Sequence, residues 1–423
     1  MDEVDEVLEQ TIRHDRNNRR ILFLAMLNTY TEHDQFNVAM TGESSVGKSW
    51  LATQIAGLFP EEDVKKYGYS SPTAFIHEEG EKEGNKTVID LERKNIVWLD
   101  MPHPKIFERL RSLMSKDDKR IILNITDKTQ RSGTRTKHIE LRGFSSMTFC
   151  STNTVMDEQD KTRTLRLSPE SNPTKIAETI ALIAEMNEDP AGFNERLLSN
   201  GNRIGLITRI AAIKAKRVRF IKIPKELELG KKFVEHHPNL RPRHQRDFPR
   251  LLGLIKAHAL LNLWTRKPEK CHYEKRDGCD ITVNEADVTV GFELYDSIAE
   301  PNELGISPDI YDVYQKIIVP ASEEIGMDGA RFTQIQKVRS LYYETYHMPL
   351  PERRLKGQFI PELEAAGLVI LEADPNDKRK VIIRLTNYVQ PHMGADRIYG
   401  VPPCSPSSTF TESPPVLPSR AVR

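Results

Sequence analysis

Residues 42–49 read Gly42-Glu43-Ser44-Ser45-Val46-Gly47-Lys48-Ser49, a match to the phosphate-binding pattern G-x-x-x-x-G-K-[ST]. Each fixed position has a physical job. The glycines let the backbone curl so that consecutive N–H groups and the first turn of a helix face a phosphate. Lys48 then reaches the β and γ oxygens of a nucleoside triphosphate, and Ser49 ligates Mg2+. At ordinary residue frequencies such a match arises by chance on the order of 0.01 times in a chain this long. The surroundings agree: the apolar run Phe36–Met40 reads as a strand entering the loop, and Ser49–Leu58 as a helix leaving it. The stretch 42–50, which includes Trp50, is therefore the expected ATP-binding segment.

Two further apolar runs, Asn95–Leu99 and Ser146–Cys150, alternate with helical patterns such as Pro104–Met114. Strands and helices alternating in this way predict a layered α/β domain with a parallel sheet. Ile96-Val97-Trp98-Leu99 ends in Asp100, about 50 residues after Lys48, where a P-loop enzyme needs a carboxylate for its Mg2+. Ser49 and Asp100 are thus the expected metal-site residues. Many ATPases place a glutamate directly after this acid to activate water. Met101 and Pro102 stand here instead, so the sequence identifies no general base. The run Ser146–Cys150 leads into Ser151-Thr152-Asn153. An amide just past a core strand is suited to orient the attacking water or touch the γ-phosphate, the sensor role expected of Asn153.

Between the second and third of these strands, Ile121–Thr126 and Thr136–Leu141 flank a polar tip containing Gly133, which reads as a β-hairpin. Its tip and flanks carry Lys128, Arg131, Arg135 and Lys137, opposed only by Asp127. Such a cluster can follow a phosphate backbone without reading bases. The chain as a whole is neutral, 61 Lys+Arg against 61 Asp+Glu, so nucleic-acid binding must come from local clusters of this kind.

The 423 residues predict several regions. Residues 1–35, with Leu8, Ile12, Ile21, Leu24 and Leu27 at helical spacing, predict two surface helices before the α/β core of 36–170. Residues 171–300 read as a helical region, clearest in Ile176–Met186 and Phe248–Leu263, with Val218–Ile223 as an extended insert. Within 306–388, three helices precede a hairpin of Leu368–Leu371 and Val381–Leu385 around Asp374-Pro375-Asn376-Asp377, the order of a winged helix. Tyr342, Tyr343 and Tyr346 are expected in its core. Arg353, Arg354, Lys356, Lys378, Arg379 and Lys380 are expected to face phosphates. Removing this region is expected to weaken duplex binding and leave basal ATPase. Residues 389–423, rich in proline and serine, read as a disordered tail.

Four cysteines make no disulfide framework, and no short apolar segment follows Met1-Asp2-Glu3. A reducing, cytoplasmic location is expected. The most apolar long stretch, Ile204–Ile223, is broken by Arg209, Lys214, Lys216, Arg217 and Arg219, so no membrane domain is expected. The Cys271, His272 and Cys279 spacing fits no common zinc pair.

The order of P-loop, Asp100, basic hairpin and Asn153 resembles AAA+ ATPases that carry a hairpin before sensor 1. Most closely it resembles the minichromosome maintenance (MCM) helicases and their shortened relatives encoded by plasmids, viruses and mobile elements. Arg246, followed eleven positions later by Ala257-His258-Ala259, is similar to the sensor 2 segment of that family, and Ile281–Val288 to the segment after it. The resemblance implies an AAA+ core with helical lid and winged helix, a homo-oligomeric ring of six subunits, ATP and Mg2+ at each interface, and DNA as partner. It implies a trans-acting arginine after sensor 1, for which Arg163 and Arg166 are candidates, Arg163 first. The function it implies is an ATP-dependent DNA helicase or translocase for replication of such an element. An initiator or loader resembling the Orc/Cdc6 group, and a nucleotide-switched DNA-binding regulator, are the alternatives.

Overall fold

The apolar runs around the P-loop form a five-stranded sheet from Asn37–Met40, Val64–Tyr67, Asn95–Trp98, Ser146–Cys150 and Thr164–Leu167. Numbered in chain order, the strands lie side by side as second, third, fourth, first, fifth, and every adjacent pair is parallel. Four of the five are buried along their whole length, as expected when both faces of a parallel sheet are covered. Alternation divides the two faces. Val38 and Met40 join the cluster shared with the N-terminal and later helices, while Ala39, Trp98 and Phe149 pack with Ile106, Phe107 and Leu110 of the helix Pro104–Ser115.

The computed structural model describes residues 1–68, 80–84, 86–127, 135–151, 158–267, 269–273, 276–326, 329–374, 377 and 379–386. For 125–127, 135–137, 158, 270–273 and 276–278 it describes the backbone only.

The N-terminal segment departs from expectation. Asp2–Glu9 and Arg16–Leu27 are helices, but the second is no surface element: Ile21 through Leu27 are all 0% exposed. The unbroken run Ile21-Leu22-Phe23-Leu24-Ala25-Met26-Leu27 makes a helix apolar all round, which must be buried. It packs between the P-loop helix Lys48–Ala56 and the long helix His244–Leu261.

The basic hairpin exists as two antiparallel strands, Arg120–Asp127 and Arg135–Arg142, in register from Arg120 opposite Arg142 to Asp127 opposite Arg135. It is not isolated. Its second strand also pairs with Lys86–Asp90, which pairs with Glu81–Glu83, giving a second four-stranded sheet. Buried Ile139 and Leu141 anchor the base of the hairpin to the core. Lys128 and Arg131 lie outside the described residues, as do the side chains of Arg135 and Lys137.

The helices from Pro173–Glu188 to Glu285–Leu304 frame a three-stranded sheet of Val218–Lys222, Glu269–Tyr273 and Arg276–Thr282. Glu285–Leu304 begins with a reciprocal capping box between Asn284 and Asp287 and stops at Gly305, whose φ of 72° suits glycine. Beyond it lie a helical run from Pro308 to Ala321, helices at Ile335–Tyr346 and from Glu352 to Ala365, and strands at Val369–Ala373 and Val381–Leu385. This C-terminal module has its own apolar cluster. The expected hairpin is present, but a further strand, Arg331–Gln334, pairs with its second arm. Among the described residues no helix is long and apolar enough to cross a membrane.

Candidate functional site

The P-loop leaves the carboxyl end of the first strand and turns directly into the helix Lys48–Ala56. Gly42 (φ 127°) and Gly47 (φ 95°) adopt backbone conformations that side chains resist, so the two fixed glycines do the conformational work assigned to them. Lys48 is 7% exposed. Its Nζ donates to the Gly42 carbonyl at 2.8 Å and also to the Glu43 carbonyl. Burial pushes the pKa of this ammonium down, partly offset by Cys150, Asp309 and Glu43. Loop carbonyls thus hold the cation that the motif assigns to phosphate oxygens. The Ser49 hydroxyl donates to the Leu99 carbonyl at 3.2 Å, next to Asp100. Asp100 is exposed, and its carboxylate accepts the Met101 N–H at 2.8 Å.

The strand order explains how these groups converge. The fourth strand lies between the P-loop strand and the Asp100 strand, with Cys150 level with Met40 and Phe149 level with Trp98. Ser151 therefore emerges between Lys48 and Asp100, and all three line one polar cavity of about 260 Å³. Asn153 lies outside the described residues. Glu43, Ser44, Ser45, Val46, Gly47 and Trp50 also border a second, mostly apolar cavity of about 390 Å³, closed by Ile12, Ile176, Ile180 and Met348. The two cavities share Ser44, Ser45, Gly47 and Trp50, so a polar pocket and an apolar one adjoin across the loop. Sequence reading missed the second because its walls come from three distant segments. The exposed spacing Ile176, Ile180, Ile183 on the helix Pro173–Glu188 was the available signal. Trp50 ties the P-loop helix to the N-terminal segment by donating to the Thr11 carbonyl at 2.8 Å.

The two arginine candidates separate cleanly. Arg166 is 2% exposed and donates to the Gly305 carbonyl at 2.7 Å, so it is a core residue and unavailable to another subunit. Arg163 sits just before the fifth strand, whose first residue, Thr164, is level with Asn37 at the start of the P-loop strand. It is therefore a strand length, roughly 13 Å, from its own P-loop. Its guanidinium donates to the Ser115 hydroxyl at 2.8 Å and the Gln159 carbonyl at 2.6 Å. The paired bonds of Arg111 to Asp160, 2.9 and 3.0 Å, fix the segment beneath it. Arg246 is exposed and donates to the Thr162 hydroxyl. Burial and the charge of Arg246 together push the pKa of Arg163 down, as expected of neighbouring cations. Neither arginine lines the cavity at Lys48.

A cluster not anticipated from sequence joins His237, His244 and Glu303. Its donor types suit a metal, but its hydrogen bonds do not. His244 Nδ1 accepts the Arg241 N–H at 3.1 Å, so its proton is on Nε2, the atom 3.5 Å from Glu303. The cluster is an ion-paired joint at the end of the helix Glu285–Leu304. Comparison with known proteins gives no matching family model and no matching curated protein.

Proposed function

We propose that the chain is an ATP-dependent DNA helicase or translocase of the AAA+ type, similar in kind to the shortened MCM relatives. The observation that carries this reading is the convergence of Lys48, Ser49 and Asp100 on one cavity at the carboxyl end of a parallel sheet. Lys48 would balance charge on the β and γ oxygens, while Ser49 and Asp100 would hold Mg2+ and its water. Bound Mg-ATP supplies the transferable phosphoryl group and the metal charge. The apolar cavity across the loop suits the nucleoside end. Asn153, at the end of the segment that starts with Ser151, keeps the sensor role.

Arg163 and Arg246 lie too far from their own loop to serve it, which supports their use on the nucleotide of a neighbouring copy. Such use fits the homo-oligomeric ring of six that the resemblance implies. The hairpin with Lys128, Arg131, Arg135 and Lys137 is the DNA-gripping element, and the C-terminal module is the winged helix. Met101 in the place of a glutamate after Asp100 favours, as second reading, a nucleotide-switched regulator with slow hydrolysis.

ATP hydrolysis and forked-DNA unwinding by the full chain test the proposal. Wild type should hydrolyse ATP faster with DNA and unwind the fork. Lys48→Ala should abolish both, and R131A/R135A should keep basal hydrolysis while losing DNA stimulation and unwinding. Wild-type turnover in Lys48→Ala would refute the site. Hydrolysis without unwinding would favour the regulator or an initiator.

A further inference from the structure

Glu43 occupies a position of the motif that any residue can fill, and it has two sets of partners. Its backbone carbonyl receives Lys48 Nζ. Its carboxylate receives the guanidinium of Arg354 and, at 3.1 Å, the hydroxyl of Tyr342, both from the C-terminal module. We propose that Arg354 and Tyr342 are positioning residues for the phosphate loop, acting through Glu43 to raise its affinity for a nucleoside triphosphate. The proposal rests on reading the loop as the nucleotide site.

The argument is one of charge. A triphosphate is a polyanion, and a carboxylate on the loop that cradles it opposes binding unless a cation neutralises it. On that reading Lys48 turns to the phosphates when nucleotide binds, so the loop itself has no cation to spare. Arg354 supplies one, and its place is fixed: the guanidinium lies 4.8 Å over the Phe359 ring, and Phe359 is 1% exposed. Tyr342 is 4% exposed in the module's own core, so packing sets where its hydroxyl points. The module is held against the sheet by Asp309, which accepts from Ser168 at 3.2 Å, and by the Gly305 carbonyl on Arg166. Removing the module would thus leave Glu43 an unpaired charge beside the nucleotide.

Isothermal titration of the full chain with Mg2+ and a non-hydrolysable ATP analogue tests this. Arg354→Ala should weaken affinity about five- to tenfold, within the usual range of coupling between sites. Arg354→Lys should recover part of the loss. E43Q/R354A should return within about twofold of wild type, because a neutral amide needs no counter-cation, and a purely structural loss would not be rescued this way. In steady-state ATPase the Arg354→Ala effect should fall on KM with kcat unchanged. Wild-type affinity in Arg354→Ala, or no recovery in E43Q/R354A, would overturn the proposal. If Arg354→Ala fails to fold by circular dichroism, Tyr342→Phe carries the test, with a loss of about twofold expected and none overturning it. Lys48→Ala is titrated in parallel. Unchanged binding there would instead reject the loop as the nucleotide site.

Discussion

Cys150 ends the strand beside the P-loop strand and lines the cavity of Lys48. Burial pushes its thiol up to about 12, against the opposing hydrogen bond of Ser49 and charge of Lys48. A raised acid pKa keeps the thiol neutral through the ordinary pH range, so iodoacetamide at pH 8 should leave Cys150 unmodified in the folded chain and label it in urea. The sign also sets a stability trend: above about pH 8.5 the unfolded thiol ionises while the folded one does not, so this contribution is lost as pH rises. Peptide mapping after labelling reads the first effect, and equal labelling of folded and unfolded protein would contradict the packing around Lys48. At this scale the motif residues were legible because each answers to local backbone chemistry. The choice between Arg163 and Arg166 was not. It depends on Asn302 and Gly305, far along the chain, which accept from Arg166 and bury it. Tyr343 was misread for a similar reason: it shares a helix with buried Tyr342 but lies 57% exposed.

The helix Arg16–Leu27 shows what an element owes to its surroundings. Helical spacing alone marked Ile21, Leu24 and Leu27, but Leu22, Phe23, Ala25 and Met26 between them mark a central helix, one that seals the sheet against His244–Leu261. Phe23 is 0% exposed and packs 5.9 Å from the Phe59 ring. Phe23→Ala should therefore cost about 3–5 kcal/mol by urea unfolding, as for other buried aromatic deletions. A cost below about 1 kcal/mol would return the helix to the surface. The strands Asn37–Met40, Asn95–Trp98 and Ser146–Cys150 and the helices Lys48–Ala56 and Pro104–Ser115 were legible from periodicity. The strands Val64–Tyr67, Thr164–Leu167 and Arg331–Gln334 were not, because none stands out as an unbroken apolar run and each is defined by the partner it pairs with. The hairpin was legible as a hairpin, while its union with Lys86–Asp90 rests on a pairing across some 50 residues.

Across the molecule, the same sheet carries two unlike ends: Lys48, Ser49 and Asp100 at the carboxyl edge, and Arg163 with Arg246 beyond the amino edge of the fifth strand. On the proposed reading, one chain holds both halves of a site that closes only between neighbouring copies. The C-terminal module reaches the loop through Glu43, so on the proposal above removing residues 306–423 would lower nucleotide affinity besides weakening duplex binding. The most direct measurement mixes two inactive variants. Lys48→Ala lacks the loop cation but keeps Arg163. Arg163→Ala keeps the loop but lacks the arginine. If nucleotide is hydrolysed between neighbouring copies, equal mixing should restore about a quarter of wild-type ATPase, since half the loops are intact and half of their neighbours supply the arginine. A mixture as inactive as its two components, with both variants assembled, would contradict the account.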